Sequence, residues 1–150
     1  MIRTIATLLS VSTMALPAFA ESHSTGDAAA GEKAFSKCAT CHVVADDDGQ
    51  VLAGKSAKTG PNLYGIVGRQ AGSVEGFRYG KSLVAAGEAG LVWDLETLAS
   101  YSQDPKKFLR EFLDDKKARS KMTFKVREEE DAVNLAAFLA SLGPEAEATN

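Results

Sequence analysis

Two cysteines and a histidine stand together in this 150-residue chain, as Cys38-Ala39-Thr40-Cys41-His42. Thiols three positions apart at the end of a helix can both reach one planar group, and a histidine directly after them can sit beneath its centre. This C-x-x-C-H spacing is the attachment signature of c-type haem, in which each thiol becomes a thioether and the imidazole an axial ligand of the iron. Three other chemistries use neighbouring cysteines. A thioredoxin-like pair needs a strand before it and a helix after it, whereas here a helix precedes the pair and a loop follows. A structural zinc takes about four ligands, and the chain holds two cysteines and two histidines in all. A disulfide over so short a span constrains the unfolded chain little and leaves His42 without a role. One covalent haem on Cys38 and Cys41, with His42 on the iron, accounts for all three residues.

A second axial ligand is then sought. Met122 lies in Lys121-Met122-Thr123-Phe124, a charged loop between two expected helices. A core methionine is usually a gap-filler, but this one is not on an apolar helical stripe. His23 is the rival and falls in the polar segment 21–26. His/Met ligation fills both axial positions and raises the potential, which suits electron transfer better than oxygen chemistry.

The elements that must hold these residues are short. Asp27 caps a helix running to about residue 38, with Ala28, Gly31 and Phe35 along one face. Asp46-Asp47-Asp48-Gly49 reads as a turn, and 50–72 as a long Gly-rich loop wrapped over something. Asp94 caps a helix over 95–102. Asp104-Pro105 opens another over 106–113, with proline at its first position. The loop 118–126 follows. Glu128-Glu129-Glu130 then opens a last helix to about Leu142, where Gly143-Pro144 stops it. No strand pattern or repeat stands out, so the expected class is all-α, short helices and long loops around one haem. Met1-Ile2-Arg3, the apolar stretch Ile5 to Leu16 and Ala18-Phe19-Ala20 read as a signal peptide over 1–20. The expected organisation is that cleaved leader, a flexible 21–26, one domain over 27–142 and a disordered tail over 143–150. The expected compartment is the periplasm. A net charge of -3 argues against nucleic-acid binding.

The chain resembles the class I cytochromes c, and within them the long bacterial cytochromes c2 and their respiratory periplasmic relatives. The resemblance covers nearly all of 27–142. It rests on Gly26-Asp27, Gly31-Glu32-Lys33, Phe35, the C-x-x-C-H motif, Lys58-Thr59-Gly60-Pro61-Asn62-Leu63-Tyr64-Gly65, Gly68-Arg69, Gly76-Phe77-Arg78-Tyr79, Trp93 and Lys121-Met122-Thr123-Phe124. The resemblance implies that the Pro61 carbonyl accepts from His42 Nδ1-H, and that Arg69, Tyr79 and Trp93 serve a buried propionate, with Ser120 adding a hydroxyl. It implies that Tyr101 lies near the Met122 sulfur, and that Gly31 and Phe35 meet Leu135 and Phe138 where the first and last helices cross. For Tyr79 and Tyr101, ordinary core packing is the alternative. The segments 43–58 and 112–121 are longer than in the short mitochondrial type.

Charge is uneven. Between Lys106 and Arg127 stand nine basic residues and three acidic ones, around Met122, in a chain that is acidic as a whole. Such a run is either a solvated face or a docking rim for acidic partners, here Lys106, Lys107, Lys117, Lys121 and Lys125. The expected function is a soluble one-electron carrier and not an enzyme. As a monomer, it would shuttle between a quinol-oxidising cytochrome bc1-type complex and a terminal oxidase, peroxidase or photosynthetic reaction centre. The alternative is a haem enzyme or gas sensor with a labile sixth ligand.

Overall fold

Asp27 has extended backbone angles, and its carboxylate accepts from the Ala29 and Ala30 amides, so helix α1 starts at Ala28 and runs to Cys38. The computed structural model describes residues 26–144. The expected leader 1–20, nearly all of 21–26 with His23, and most of the tail 143–150 lie outside the described residues.

Helix α1 crosses the last helix, α5 (Glu129–Ser141), at very short range. A Cβ on Gly31 would stand 1.9 Å from the Asn134 carbonyl oxygen and 2.7 Å from Phe138 Cβ, so only glycine fits. One turn on, the Phe35 and Phe138 rings pack with centroids 5.5 Å apart. The buried Asn134 carboxamide accepts from the Asp27 amide at 2.7 Å, tying the start of α1 to α5. The expected crossing is present, with Asn134 and Phe138 the residues that meet Gly31; Leu135 is buried in the same core.

Two elements differ from the sequence reading. A small antiparallel hairpin, β1 (Val43–Ala45) and β2 (Val51–Gly54), interrupts what reads as loop, so the regular structure among the described residues is mostly but not wholly helical. The expected turn at its tip is real: the Asp46 carboxylate accepts from the Asp48 and Gln50 amides. Strands of three and four residues with a register irregularity after Val44 are too short to display alternation, and Val51 and Leu52 are exposed where alternation would bury one of them. The second difference is α2 (Lys81–Glu88), which no signal announces: its N-cap, Gly80, offers no side-chain cap. Gly87 sits inside this helix because a Cβ there would lie 2.0 Å from the Ala71 carbonyl oxygen.

The chain after α2 doubles back along 68–71. Trp93 N donates to Arg69 O at 2.9 Å and Ala71 N to Leu91 O at 2.9 Å, which fixes Trp93 in the interior. Asp94 and Thr97 then form a reciprocal capping box for α3 (Leu95–Gln103), and Asp104 with Pro105 opens α4 (Pro105–Phe112). These caps agree with the sequence reading to within a residue or two. No helix among the described residues is long and apolar enough to cross a membrane.

Gly31→Ala should be among the costliest small substitutions in the chain. The extra methyl meets backbone, which cannot rotate away, so α1 and α5 must part. A loss of about 3 kcal/mol or more is expected, read as a drop in the midpoint of thermal unfolding.

Candidate functional site

Helix α1 delivers both thiols at its C-terminal end. Cys38 is its last residue and is buried, while Cys41 is half-buried one turn later; neither is in a disulfide. Burial pushes the Cys38 thiol up to about 11, with the nearby Cys41 adding to the shift and Lys37 opposing it. The chain then folds through Cys41 N→Cys38 O and His42 N→Cys38 O bonds, at 3.0 and 2.9 Å, so the imidazole leaves the helix end directly.

His42 Nδ1 lies 3.0 Å from the Pro61 carbonyl oxygen, as the resemblance implies. A carbonyl only accepts, so Nδ1 carries the proton and Nε2 keeps the bare lone pair that binds metals. Burial lowers the pKa of His42, outweighing the Pro61 hydrogen bond, so the ring stays neutral at physiological pH. Gly60 lies flat against it: a Cβ there would be 2.4 Å from ring Cε1 and 2.5 Å from Nδ1.

The other expected residues gather at a second place. Trp93 packs edge-on against Tyr101 with centroids 5.1 Å apart; Phe108 meets Tyr101 edge-on and lies tilted against Trp93. The Tyr101 hydroxyl and Ser120 Oγ are 3.2 Å apart, two residues before Met122. Burial raises the pKa of Tyr101, with the Ser120 bond opposing it, and raises that of Tyr79, with a Val74 backbone bond and the Arg69 charge opposing. Arg69 is engaged with the chain itself: Nη1 donates to Asn62 O at 3.2 Å and Nη2 to Tyr64 O. Two of its five N–H donors are thereby used and the rest stay available for an anion.

Met122 is half-buried in an irregular loop held on both sides. Arg119 N donates to Ser82 Oγ at 3.0 Å, Lys121 Nζ to Arg78 O at 2.6 Å, and Val126 N to Ser102 O at 2.9 Å. Lys125 Nζ meets the Asp104 carboxylate at 2.5 Å. A cleft of about 520 Å³ is lined by Met122, Ser120, Asp104 and, among the expected docking residues, Lys106, Lys107 and Lys125; it takes in neither cysteine nor His42. Lys117 and Lys121 line a neighbouring depression with Gly80, Ser82 and Ser120. All five lysines are exposed, but Lys121 and Lys125 are loop anchors as well as surface charges. Lys106 and Lys117 have no acidic partner among the described residues.

Sequence reasoning passed over three residues here. Ser82 and Arg78 reach the Met122 loop from 37 and 43 positions away, a distance no local signal spans. Asn62 and Arg78 both stand in motifs that carry the resemblance, yet nothing in their neighbours says what they touch. No group of three or more His, Cys, Asp or Glu among the described residues forms a bare-ion site.

No family model matches the chain. It is 60% identical over 119 residues to cytochrome c2 of Rhodovulum adriaticum, covering 79% of this chain and 94% of that one. It is 52% identical over 142 residues to cytochrome c-551 of Roseobacter denitrificans, covering 95% and 96%. The solved structure of cytochrome c2 from Rhodobacter sphaeroides superposes with a TM-score of 0.76 at 53% identity, over 78% of this chain and 96% of that one.

Asp104 is the residue on which the cleft's electrostatics can be tested. The hydrogen bond from Lys125 holds its carboxyl below its ordinary value, helped by the Lys107 amide. A depressed folded pKa means that the stabilisation is present above the unfolded value and is lost as pH falls through the folded one. Asp104→Ala should cost about 1 kcal/mol at pH 7 through the lost cap, and the gap from wild type should close as pH drops below about 4. Urea titrations across that range measure it.

Proposed function

The chain belongs to the cytochrome c2 family of class I c-type cytochromes, and from that premise we propose an exported, periplasmic one-electron carrier with a single covalent haem c. The observation that carries the reading is the pairing of Cys38 and Cys41 with a His42 whose Nδ1 lies 3.0 Å from the Pro61 carbonyl oxygen. These residues fit the group: two free thiols, an imidazole presenting Nε2, and a glycine where a side chain would press on the ring.

Cys38 and Cys41 would hold the haem through thioethers, and His42 Nε2 and the Met122 sulfur would be the ligands of its iron. When bound, the haem would supply a reversible one-electron change at its iron. The protein's part is to keep that environment fixed in both oxidation states. Pro61 holds the His42 tautomer and makes its ring a stronger donor. Tyr101 and Ser120, bonded to each other, and the anchors Lys121 and Lys125 restrain the loop that carries Met122. Trp93, Tyr79 and the remaining Arg69 donors serve the buried propionate, whose charge needs partners away from water. No substrate bond is broken. Electrons arrive from a membrane quinol-oxidising complex of the bc1 type and leave to an oxidase, a peroxidase or a reaction centre, through a docking rim of Lys106, Lys107, Lys117, Lys121 and Lys125. Attraction over such a rim speeds encounter without deep burial.

An optical spectrum of the purified holoprotein, titrated with reductant, tests attachment and ligation together. Met122→Ala should keep its haem, since the thioethers do not depend on the axial bond. It should lose the weak ferric sulfur–iron band, bind carbon monoxide when reduced, and show a lower potential. A wild-type spectrum in this variant would exclude Met122 as the ligand.

The docking rim makes a separate prediction. Reversing Lys106 and Lys117 to glutamate should slow bimolecular electron transfer about tenfold at low salt and flatten its dependence on ionic strength. The potential should barely move, because exposed charges act through high dielectric. Reversing Lys33 and Lys55 should do much less; equal effects in stopped-flow kinetics would reduce the rim to net charge.

A further inference from the structure

We propose that Asn62 is the positioning residue for His42: its carboxamide stands in for a strand residue opposite Ala45 and so holds the Pro61 oxygen on Nδ1. The inference rests on reading His42 as an iron ligand. Residues 60–63 run alongside 41–45 with a parallel bridge between Val43 and Asn62. Gly60 N donates to Cys41 O at 2.6 Å and Leu63 N to Val43 O at 2.9 Å. Between those two rungs stands Pro61, which has no N–H to give. The residue whose carbonyl matters most is therefore the one that cannot fix itself by a backbone bond from its own amide.

The Asn62 side chain makes up the loss. Its Nδ2 donates to Ala45 O at 2.6 Å, while its Oδ1 accepts from Ala45 N at 3.0 Å and from Tyr64 N at 3.1 Å. The two bonds to Ala45 mimic those exchanged by paired strand residues, extending the ladder beyond Leu63. The Asn62 carbonyl is held independently by Arg69 Nη1 at 3.2 Å. Side chain and carbonyl together fix Asn62 itself, and so restrain the peptide that joins it to Pro61. On the far side, Gly60 has no side chain to resist rotation and rests on the imidazole itself. Without the Asn62 side chain, the Pro61 carbonyl would keep the Gly60 and Leu63 rungs and the Arg69 bond, but lose the three bonds that anchor the next residue to Ala45 and Tyr64.

The consequence reaches the metal because an acceptor on Nδ1 raises the basicity of Nε2 and favours the ferric state. The test uses full-length holoprotein of wild type, Asn62→Ala, Asn62→Gln and, as a control, Asn134→Ala, which strips a buried carboxamide from a backbone partner at the α1–α5 crossing. In Asn62→Ala the His42 Nδ1 proton should exchange with solvent about tenfold faster by NMR, and the reduction potential should rise with the axial ligands unchanged. Asn62→Gln, with its amide displaced by one methylene, should shift both in the same direction but less. Asn134→Ala should lower thermal stability and move neither. Exchange and potential equal to wild type in Asn62→Ala, or equal shifts in Asn134→Ala, would overturn the proposal, leaving Asn62 a structural residue only. If Asn62→Ala yields no folded holoprotein, Asn62→Gln decides by the same two readouts. A wild-type His42 ring without the iron's paramagnetic shift would sink the ligation reading itself, and is seen before any variant is compared.

Discussion

The closeness of α1 and α5 at Gly31 governs much of the molecule. With the Gly31 backbone lying on the Asn134 carbonyl, the axis of α1 has no freedom to slide or rotate. The helix is only 11 residues long, so fixing its middle fixes its C-terminal end, where Cys38 closes the last turn. A larger residue at the crossing would move both thiols and the imidazole that follows them. The Asn134 bond to Asp27 and the Phe35–Phe138 contact hold the same helix at its start and on its inner face.

From that end the chain is placed mostly by backbone. The hairpin lies beside the segment 60–63, and the stretch 68–71 beside 91–93, through main-chain bonds that set the register of the core residues Val44, Ala71, Leu91 and Trp93. This is how a chain with few long helices can carry precise geometry. Backbone bonds fix register to within a residue, whereas apolar contacts tolerate sliding. The Met122 loop follows a different rule, being tied through side chains: Ser82 of α2, Tyr101 of α3 and Asp104 at the start of α4 reach it, and its own Lys121 reaches the Arg78 carbonyl.

What the sequence made legible follows from this division. Helices with a side-chain cap, at Asp27, Asp94 and Asp104, were readable because the signal sits beside the element it starts. The C-x-x-C-H motif and the Pro61 partner of His42 were readable because spacing or resemblance carries them. The hairpin and α2 were not. The first is too short for periodicity and carries an irregularity, and the second is capped by a glycine and interrupted by another, so its stability comes from tertiary fit against Ala71. The tasks of Asn62, Arg78 and Ser82 were hidden for a related reason: each acts on a residue that the fold, not the chain, makes its neighbour.

Trp93 carries a practical consequence. It is the only tryptophan in the chain, and it is buried between Tyr101 and Phe108. Every photon emitted by an indole therefore comes from one spot in the interior, on the side of the molecule that holds the Met122 loop. A porphyrin in the same core absorbs in the indole emission range and drains that excitation, so the folded holoprotein should be nearly dark. Light appears only when Trp93 moves away from the ring, and with the ring held by the proposed thioethers at residues 38 and 41, the signal would measure separation of the two halves of the chain rather than loss of the cofactor.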